Sequence, residues 1–572
     1  MSESQPNTDT TPAFTVGELI EFVLPGALSG GCPTWPPDVF AVVSTVMRRT
    51  GAYVRCLATG IHSSACAPRL LDSGWPDRAQ ETGEDWRTAI CDAVRQFAGP
   101  DKSPMGEAIR KAALPESVID AWTRLCSRAE TPLKASVADD ALTRAMLELC
   151  GYADESSYAI GLGHLGGERD EFGEAARLFL QLNGKQSFCH RVIPQRARVL
   201  GKKHTPQQGL TLRSLTHHLS LCVPWEVEPL WFNIDSPRLD DVLNLLLLPW
   251  PLEVSARDFR CLDDGSNTNT MREHCTFAYE RTALPETKIK ELIDGALKRA
   301  YERVSKLHAI VLPELALTRT EWAAVEAVAM QHGVMLISGI IDDTDDKSGL
   351  PMNSCRVQMM SLPPRNANAP PETLDPHRYP PALRQAKHHR WCLDRSQVLQ
   401  YDLGGQLPSA LRCWENSHIE ARRIFFAQLG GWLTFSVLIC EDLARQDPIA
   451  DVLRSVGPNL VIALLMDGPQ LATRWPARYG SVLADDPGTS VLTLTSLGMS
   501  VRSRPANSGK GGSRVIALWK DKLYGAREVA LPADSTGCVL SLTRERREEY
   551  TADGRSDGNG TEVPVFAGVF PI

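Results

Sequence analysis

The chain has 572 residues, a formal charge of −8 and a pI near 6.0. That length accommodates two or more domains, and the acidic balance argues against a generic nucleic-acid or anionic-membrane binder while leaving room for a local basic patch. The polar start, MSESQPNTDTTPAF, lacks the basic region of a signal peptide. The longest apolar run, Val242 to Val254, is interrupted by Asn244, Pro249 and Pro251, so no membrane span is expected and a cytoplasmic location is. The 15 cysteines are odd in number and show no CxxC or Cys/His ligand spacing, which predicts reduced thiols and no structural zinc.

Residues 1–224 read as a mostly helical first domain. Leu24 to Pro37 is a Gly/Pro-rich turn whose SGG lacks the Asp-Ser and preceding strand of a pyrophosphatase loop. Helical apolar spacing runs over Asp85 to Ala98, Glu116 to Arg128, Ala138 to Cys150 and Glu171 to Leu182, with Gly151 and Gly184 placed as helix stops. Trp35, Trp75, Trp86 and Trp122 read as core or interface residues. From Lys185 to Pro224 there is no Asp or Glu among seven lysines and arginines. This basic segment, 185–224, reads as a solvated or partner-facing linker, as a phosphate, nucleotide or RNA site, or as a face paired with acids of the second domain.

Residues 225–572 read as an α/β domain. Asp241 to Val254 gives a first buried strand and its exit loop, and Pro285 opens a helix over Glu286 to Lys306 with Ile289, Leu292, Ile293, Ala296, Ala300 and Val304 on one face. The apolar strand LHAIVLPELA ends on Glu314, fixed by Pro313. A carboxylate there is costly without a partner or a chemical role. Thr320 to His332 reads as a helix closed by Gly333, and Val334 to Ile341 as a strand. Ser361 to Pro381 is a Pro-rich loop that borders or covers a pocket. Arg384 to Asp394, RQAKHHRWCLD, brings Lys387 among histidines and a tryptophan.

GWLTFSVLICEDLA, from Gly431 to Ala444, is a strand apolar on both faces that turns at Cys440 into the acids Glu441 and Asp442. A thiol at such a turn meets backbone donors and positive helix-end potential, which favour the nucleophilic thiolate. A helix over Pro448 to Val456 follows, then strands over Asn459 to Met466, Thr489 to Ser496 and Ser513 to Trp519. Leu471 to Asp485 reads as loop and helix, and Val539 to Thr543 as the last strand.

The "PE" strand end, the lysine segment and the ICED strand end, in this order, resemble the nitrilase, or carbon–nitrogen hydrolase, superfamily. Glu314, Lys387 and Cys440 match its three motif positions, 73 and 53 residues apart. The resemblance covers roughly Pro229 to Arg555. It implies a four-layer αββα sandwich, assembly into homo-oligomers, and hydrolysis of a small amide, carbamoyl compound or nitrile through a cysteine thioester, with no metal or organic cofactor. It also implies a second carboxylate after the lysine, for which Asp394 is the candidate and Asp402 the runner-up. LLLLPWPLEV, KHHRW and CEDLAR further resemble nitrilase-type modules linked to bacterial reverse transcriptases in phage defence, which implies a reverse transcriptase or nucleic acid as partner. Two other readings stand beside it. A Cys-His thiol enzyme needs a histidine partner and a glycine-flanked elbow that LICEDL lacks, and a catalytically silent interaction or regulatory module has no chemical need for all three matched residues.

Overall fold

The computed structural model describes residues 14–56, 70–98, 104–162, 170–222, 226–234, 239–263, 273–359, 382–504, 512–558 and 560–572. The expected Pro-rich loop over 361–381 lies outside them. The chain divides into two compact units, one of residues 1–162, 166–225 and 548–561 and one of residues 163–165, 226–547 and 562–572.

The first unit carries the helices Val16–Val23, Pro36–Thr50, Trp75–Phe97, Glu116–Cys126, Asp140–Ser156 and Glu171–Leu182, with the shorter Met105–Ile109. Gly184, at φ 59, follows the last of them as a left-handed stop should. Gly151 does not stop its helix, which continues to Ser156. A Cβ at Gly151 would lie 2.5 Å from the Trp75 ring, so the glycine permits a close helix crossing instead.

The acid-free segment is folded into this unit, which overturns its reading as a linker. Arg198–Gly201 pairs antiparallel with Leu219–Cys222, and buried Lys202 donates from Nζ to Thr216 Oγ1 at 3.1 Å and to the Arg213 and Thr216 carbonyls. The compensating acids come from far along the chain. Asp154 accepts from the backbone N–H groups of His217, His218 and Leu219 and from Arg555 Nη1 at 3.1 Å. Burial, the largest single influence, raises the Asp154 carboxyl, but Arg555, His218, His217 and the His217 N–H together outweigh it and hold the group down to about 2. Glu549 likewise meets His204 Nδ1 at 3.0 Å. Glu549, Thr551, Asp553 and Arg555 are thereby buried in a unit otherwise built from the amino-terminal part of the chain.

The second unit is mixed α/β. One seven-stranded sheet runs, edge to edge, Leu383–Ala386, Pro351–Gln358, Met335–Thr344, Ala309–Val311, Val242–Leu247, Cys538–Arg547 and Thr561–Pro571. The other runs Gly525–Ala530, Val515–Asp521, Ser490–Thr495, Leu460–Leu465, Leu433–Ile439, Arg423–Leu429 and Glu228–Asn233. Two of the expected limits move outward. Glu228–Asn233, not Val242–Leu247, is the first strand, and Thr561–Pro571 follows the strand expected to be last. The first has half-buried, mixed polarity, and the other lies beyond the glycine-rich stretch 554–560, so neither stands out locally.

Helices Glu286–Tyr301 and Arg319–Gln331 bury Ile289, Ile293, Ala296, Trp322 and Val325 against Leu246, Ile310 and Leu336 of the first sheet, each large side chain contributing roughly 1.5–3 kcal/mol. Thr318 caps the second helix through a box with Glu321. Gln385 bridges the two sheets, donating to the Val437 carbonyl at 2.7 Å and accepting from Phe425 N–H at 3.2 Å. Every residue of Leu433–Ile439 is buried, as its nearly continuous apolar pattern predicts. Helix Trp475–Asp485 buries Ala477, Leu483 and Ala484.

A four-stranded sheet, Cys392–Leu393, Arg412–Glu415, His274–Tyr279 and Phe259–Cys261, completes the unit. Cys275 and Cys413 stand opposite each other in its parallel register, 4.6 Å apart at Cα, and form a disulfide. The expectation that all thiols are reduced fails here because 138 residues separate the pair, and only strand register brings them together. No helix among the described residues is long and apolar enough to cross a membrane.

Candidate active site

Three strand ends in the second unit supply the site. Ala309–Val311 runs into Pro313 and Glu314, and the neighbouring strand carries Gly339 where this turn passes. A Cβ at Gly339 would lie 2.4 Å from Leu315 N and 2.6 Å from Glu314 Cα, so only glycine lets the Glu314 backbone lie this close. Leu383–Ala386 delivers Lys387, whose N–H donates to the Asn353 carbonyl at 2.8 Å. Leu433–Ile439 delivers Cys440.

Lys387 Nζ donates to Glu314 Oε1 and to Glu415 Oε2, both at 2.8 Å. Asn353 Nδ2 reaches the same two carboxylates, Glu314 Oε1 at 2.8 Å and Glu415 Oε1 at 2.6 Å. Glu415 Oε2 also accepts from Trp391 N–H at 2.9 Å. The Lys387 side chain is 0% exposed, Glu314 1% and Glu415 10%. One buried ammonium thus serves two buried carboxylates, which is tolerable only with such dense hydrogen bonding. A cleft of about 490 Å³ reaches this network from the side of Asn353 and Glu415, lined also by Arg281, Thr318 and Trp391.

Cys440 is 2% exposed and sits at φ 47, ψ −105, a strained conformation for a residue with a side chain. Its N–H donates to the Leu464 carbonyl at 2.9 Å, locking the turn to the next parallel strand. Glu441 and Asp442 occupy the first turn of the short helix Glu441–Ala444, as their positions after the strand predict. Asp442 points back: it accepts from His388 N–H at 3.0 and 3.1 Å and lies 3.1 Å from His389 Nδ1. That carboxylate ties the cysteine turn to the lysine segment. His388 is buried and His389 half-buried, the split that adjacent histidines usually show.

Electrostatics separate the three groups. Burial opposes the charge on Lys387, but Glu314 and Glu415 outweigh it and hold the ammonium well above its ordinary pKa. Burial pushes the Glu314 carboxyl up; Lys387 works against this and Glu415 reinforces it. Burial, then the Glu314 charge, push the Cys440 thiol well above its ordinary value, with Lys387 opposing. Burial and the Glu314 charge thus favour the protonated sulfur, whereas the turn by itself was expected to favour a thiolate. The helix behind it is only four residues long and opens with two acids, so its positive end is cancelled.

Asp394 is not part of this network. It is exposed, and its carboxylate caps helix Arg395–Gln400 by accepting from Gln397 N–H at 2.8 Å. Asp402 is also exposed, at φ 51. The second carboxylate beside Lys387 is Glu415, which lies 28 residues beyond the lysine on the strand Arg412–Glu415. Alternation in RCWE, with Cys413 and Glu415 buried and Arg412 and Trp414 exposed, was the available signal. Arg445 pairs with Glu441 on the surface, and Arg474 with Asp467.

No protein-family model matches the chain, and no curated protein matches it. Solved structures that it resembles include an amidase from Nesterenkonia sp., at 11% identity and a TM-score of 0.31, covering 54% of this chain and 92% of that one. Another is Saccharomyces cerevisiae Nit3, a member of branch 10 of the nitrilase superfamily, at 11% identity and a TM-score of 0.30, covering 51% and 87%. A third is a mutant of the Nesterenkonia amidase with the acetamide moiety of fluoroacetamide added covalently at its active site cysteine, at 11% identity and a TM-score of 0.32, covering 53% and 90%.

Proposed function

We propose that the chain is a carbon–nitrogen hydrolase of the nitrilase type, a four-layer αββα sandwich that cleaves a non-peptide C–N bond of a small amide, carbamoyl compound or nitrile. The observation that carries this reading is the Glu314–Lys387–Glu415 cluster, buried, joined through Lys387 and Asn353, and acting on the charge of a strained cysteine at a strand end.

The chemistry follows from the free valences. Glu314 Oε1 is taken by Lys387 and Asn353, while Glu314 Oε2 is buried without a partner among the described residues. Oε2 is the atom that takes the Cys440 proton as sulfur attacks the acyl carbon. An ammonium has three N–H donors, and two of those of Lys387 are engaged by carboxylates. The third faces the charge that develops on the carbonyl oxygen. Glu314 returns its proton to the leaving nitrogen, ammonia or an amine departs, and Cys440 holds the acyl group as a thioester. Water, deprotonated by Glu314, then attacks the thioester, and the carboxylic acid and the thiol are regenerated.

The roles of the two downstream acids separate in one experiment. Asp394→Ala is expected to cost about 1 kcal/mol of stability in urea unfolding, the ordinary value of a helix cap, and to leave turnover unchanged. Glu415→Gln is expected to lower kcat about 100-fold, because the ammonium then leans on Glu314 alone and loses its aim. The test of the function as a whole is ammonia release from short amides by the wild-type chain, accompanied by an acyl group on Cys440.

A further inference from the structure

Asp467 lies two residues past the strand Leu460–Leu465, which runs parallel to Leu433–Ile439 and receives the Cys440 N–H on Leu464. It therefore leaves the sheet at the same end as the nucleophile, on the adjacent strand, where α/β sheets place their ligands. Its backbone N–H and carbonyl are both bonded to Thr495 Oγ1, at 3.1 and 2.6 Å. One carboxylate oxygen is fully committed: Oδ1 accepts from Tyr401 Oη and from Arg474 Nη2, the latter at 2.9 Å. Tyr401 is 1% exposed and Asp467 4%, so the group is held rigidly and away from solvent.

The other oxygen, Oδ2, is buried and has no hydrogen-bond partner among the described residues. Leaving a carboxylate oxygen in that state is costly unless something else donates to it. Its charge is felt at Cys440, which places the two groups in one electrostatic environment. The donor it lacks is not a second cation. Arg474 already neutralises Asp467, and an ammonium brought to Oδ2 would meet that guanidinium.

We infer that Asp467 Oδ2 accepts a hydrogen bond from an uncharged O–H or N–H group that the substrate carries near its scissile carbon, so that the site selects donor-bearing amides, hydroxy amides being the simplest class. The inference rests on the hydrolase reading and names the substrate class of that site. Tyr401 and Arg474 are positioning residues: they hold Oδ1 and turn Oδ2 toward the ligand.

Lactamide and isobutyramide have the same shape and differ by a hydroxyl in place of a methyl. The wild-type chain is expected to show kcat/KM about 10- to 100-fold higher for lactamide. In D467N the amide oxygen must face the Tyr401 and Arg474 donors, which puts an N–H₂ donor where Oδ2 stood. The preference is then expected to vanish or reverse, whereas a merely structural role of Asp467 would slow both amides alike. Binding of the two amides to Cys440→Ala, read by calorimetry, provides an arm that needs no turnover. Hydrolysis of both amides at equal efficiency overturns the inference and leaves the hydrolase reading intact. No hydrolysis, with lactamide bound more tightly than isobutyramide by Cys440→Ala and not by the Cys440→Ala, D467N double variant, overturns the hydrolase reading and supports the subsite. Neither hydrolysis nor preferential binding overturns both. Should D467N fail to fold, the wild-type comparison alone decides.

Discussion

Cys440→Ser is expected to lower amide turnover by about 10,000-fold or more while leaving the fold intact, with ammonia release and circular dichroism as the two readouts. The size of the effect follows from the site's division of labour. In the proposed mechanism the thiol forms the covalent intermediate, and Glu314 and Lys387 act through it. A serine hydroxyl is a far weaker acid than the thiol, and the buried Glu314 is too weak a base to activate it. Folding is preserved because serine occupies nearly the same volume at the turn. The strain at φ 47 belongs to any side chain there, so Cys440→Gly is expected to recover part of the roughly 1–3 kcal/mol it costs, giving an inactive chain with relaxed backbone.

Lys387→Met is expected to be the most destabilising single change in the site, by about 3–5 kcal/mol in urea unfolding at neutral pH, and to abolish turnover. It removes the ammonium between Glu314 and Glu415 and leaves two buried carboxylates facing each other with Asn353 and the Trp391 N–H as their remaining donors. The loss has a definite pH dependence. In the variant the Glu314 carboxyl, already pushed up in the wild type, loses the ammonium that works against that shift, and a protonated carboxyl needs no cation. The folded pKa of Glu314 lies above the unfolded value of about 4.3, so the variant is relatively stable below that pH and loses stability as pH rises through the raised folded pKa. In the wild type the same upward shift of Glu314 sets the acid limb of activity. kcat/KM is expected to fall on acidification at a pH above the ordinary glutamate range, because Glu314 must be ionised to take the thiol proton. Glu314→Gln keeps the hydrogen bonds of Oε1 but removes the base, and so separates the catalytic loss from the stability loss.

What the sequence revealed of this molecule depended on whether the signal was local. The strand Leu433–Ile439, with all residues buried, and the helices Glu286–Tyr301 and Arg319–Gln331 follow from apolar patterning, Pro285 and Gly333, although the second helix starts at the Thr318 cap, two residues before the expected Thr320. Glu314 and Lys387, 73 residues apart, are brought to hydrogen-bonding distance, and both were legible because each ends a strand in a recognisable context. Glu415 was not legible, because its strand is four residues long and its partner is 28 residues upstream. Asp394 is the first acid after the lysine in sequence, yet local chemistry, an Asp three residues before a Gln at a helix start, commits it to capping. Gly151 misled for the opposite reason: a glycine inside an apolar pattern reads as a stop, and only Trp75, 76 residues earlier, shows why it is there. The disulfide and the return of residues 548–561 to the first unit are likewise set by distant register and pairing. Chemistry that depends on which residues meet across the fold was therefore invisible, while chemistry written at a strand end was not.

The account stands most directly on the covalent state of Cys440 during turnover. Intact-mass measurement of the wild-type chain, quenched with acid while it consumes a short amide and then mapped by proteolysis, is expected to show the substrate's acyl mass on Cys440 and nowhere else. The adduct should be absent in Cys440→Ala and should accumulate in Glu314→Gln supplied with an activated ester, where water attack on the thioester lacks its base. Ammonia release with no acylated cysteine, or an adduct on another of the chain's thiols, would contradict the account.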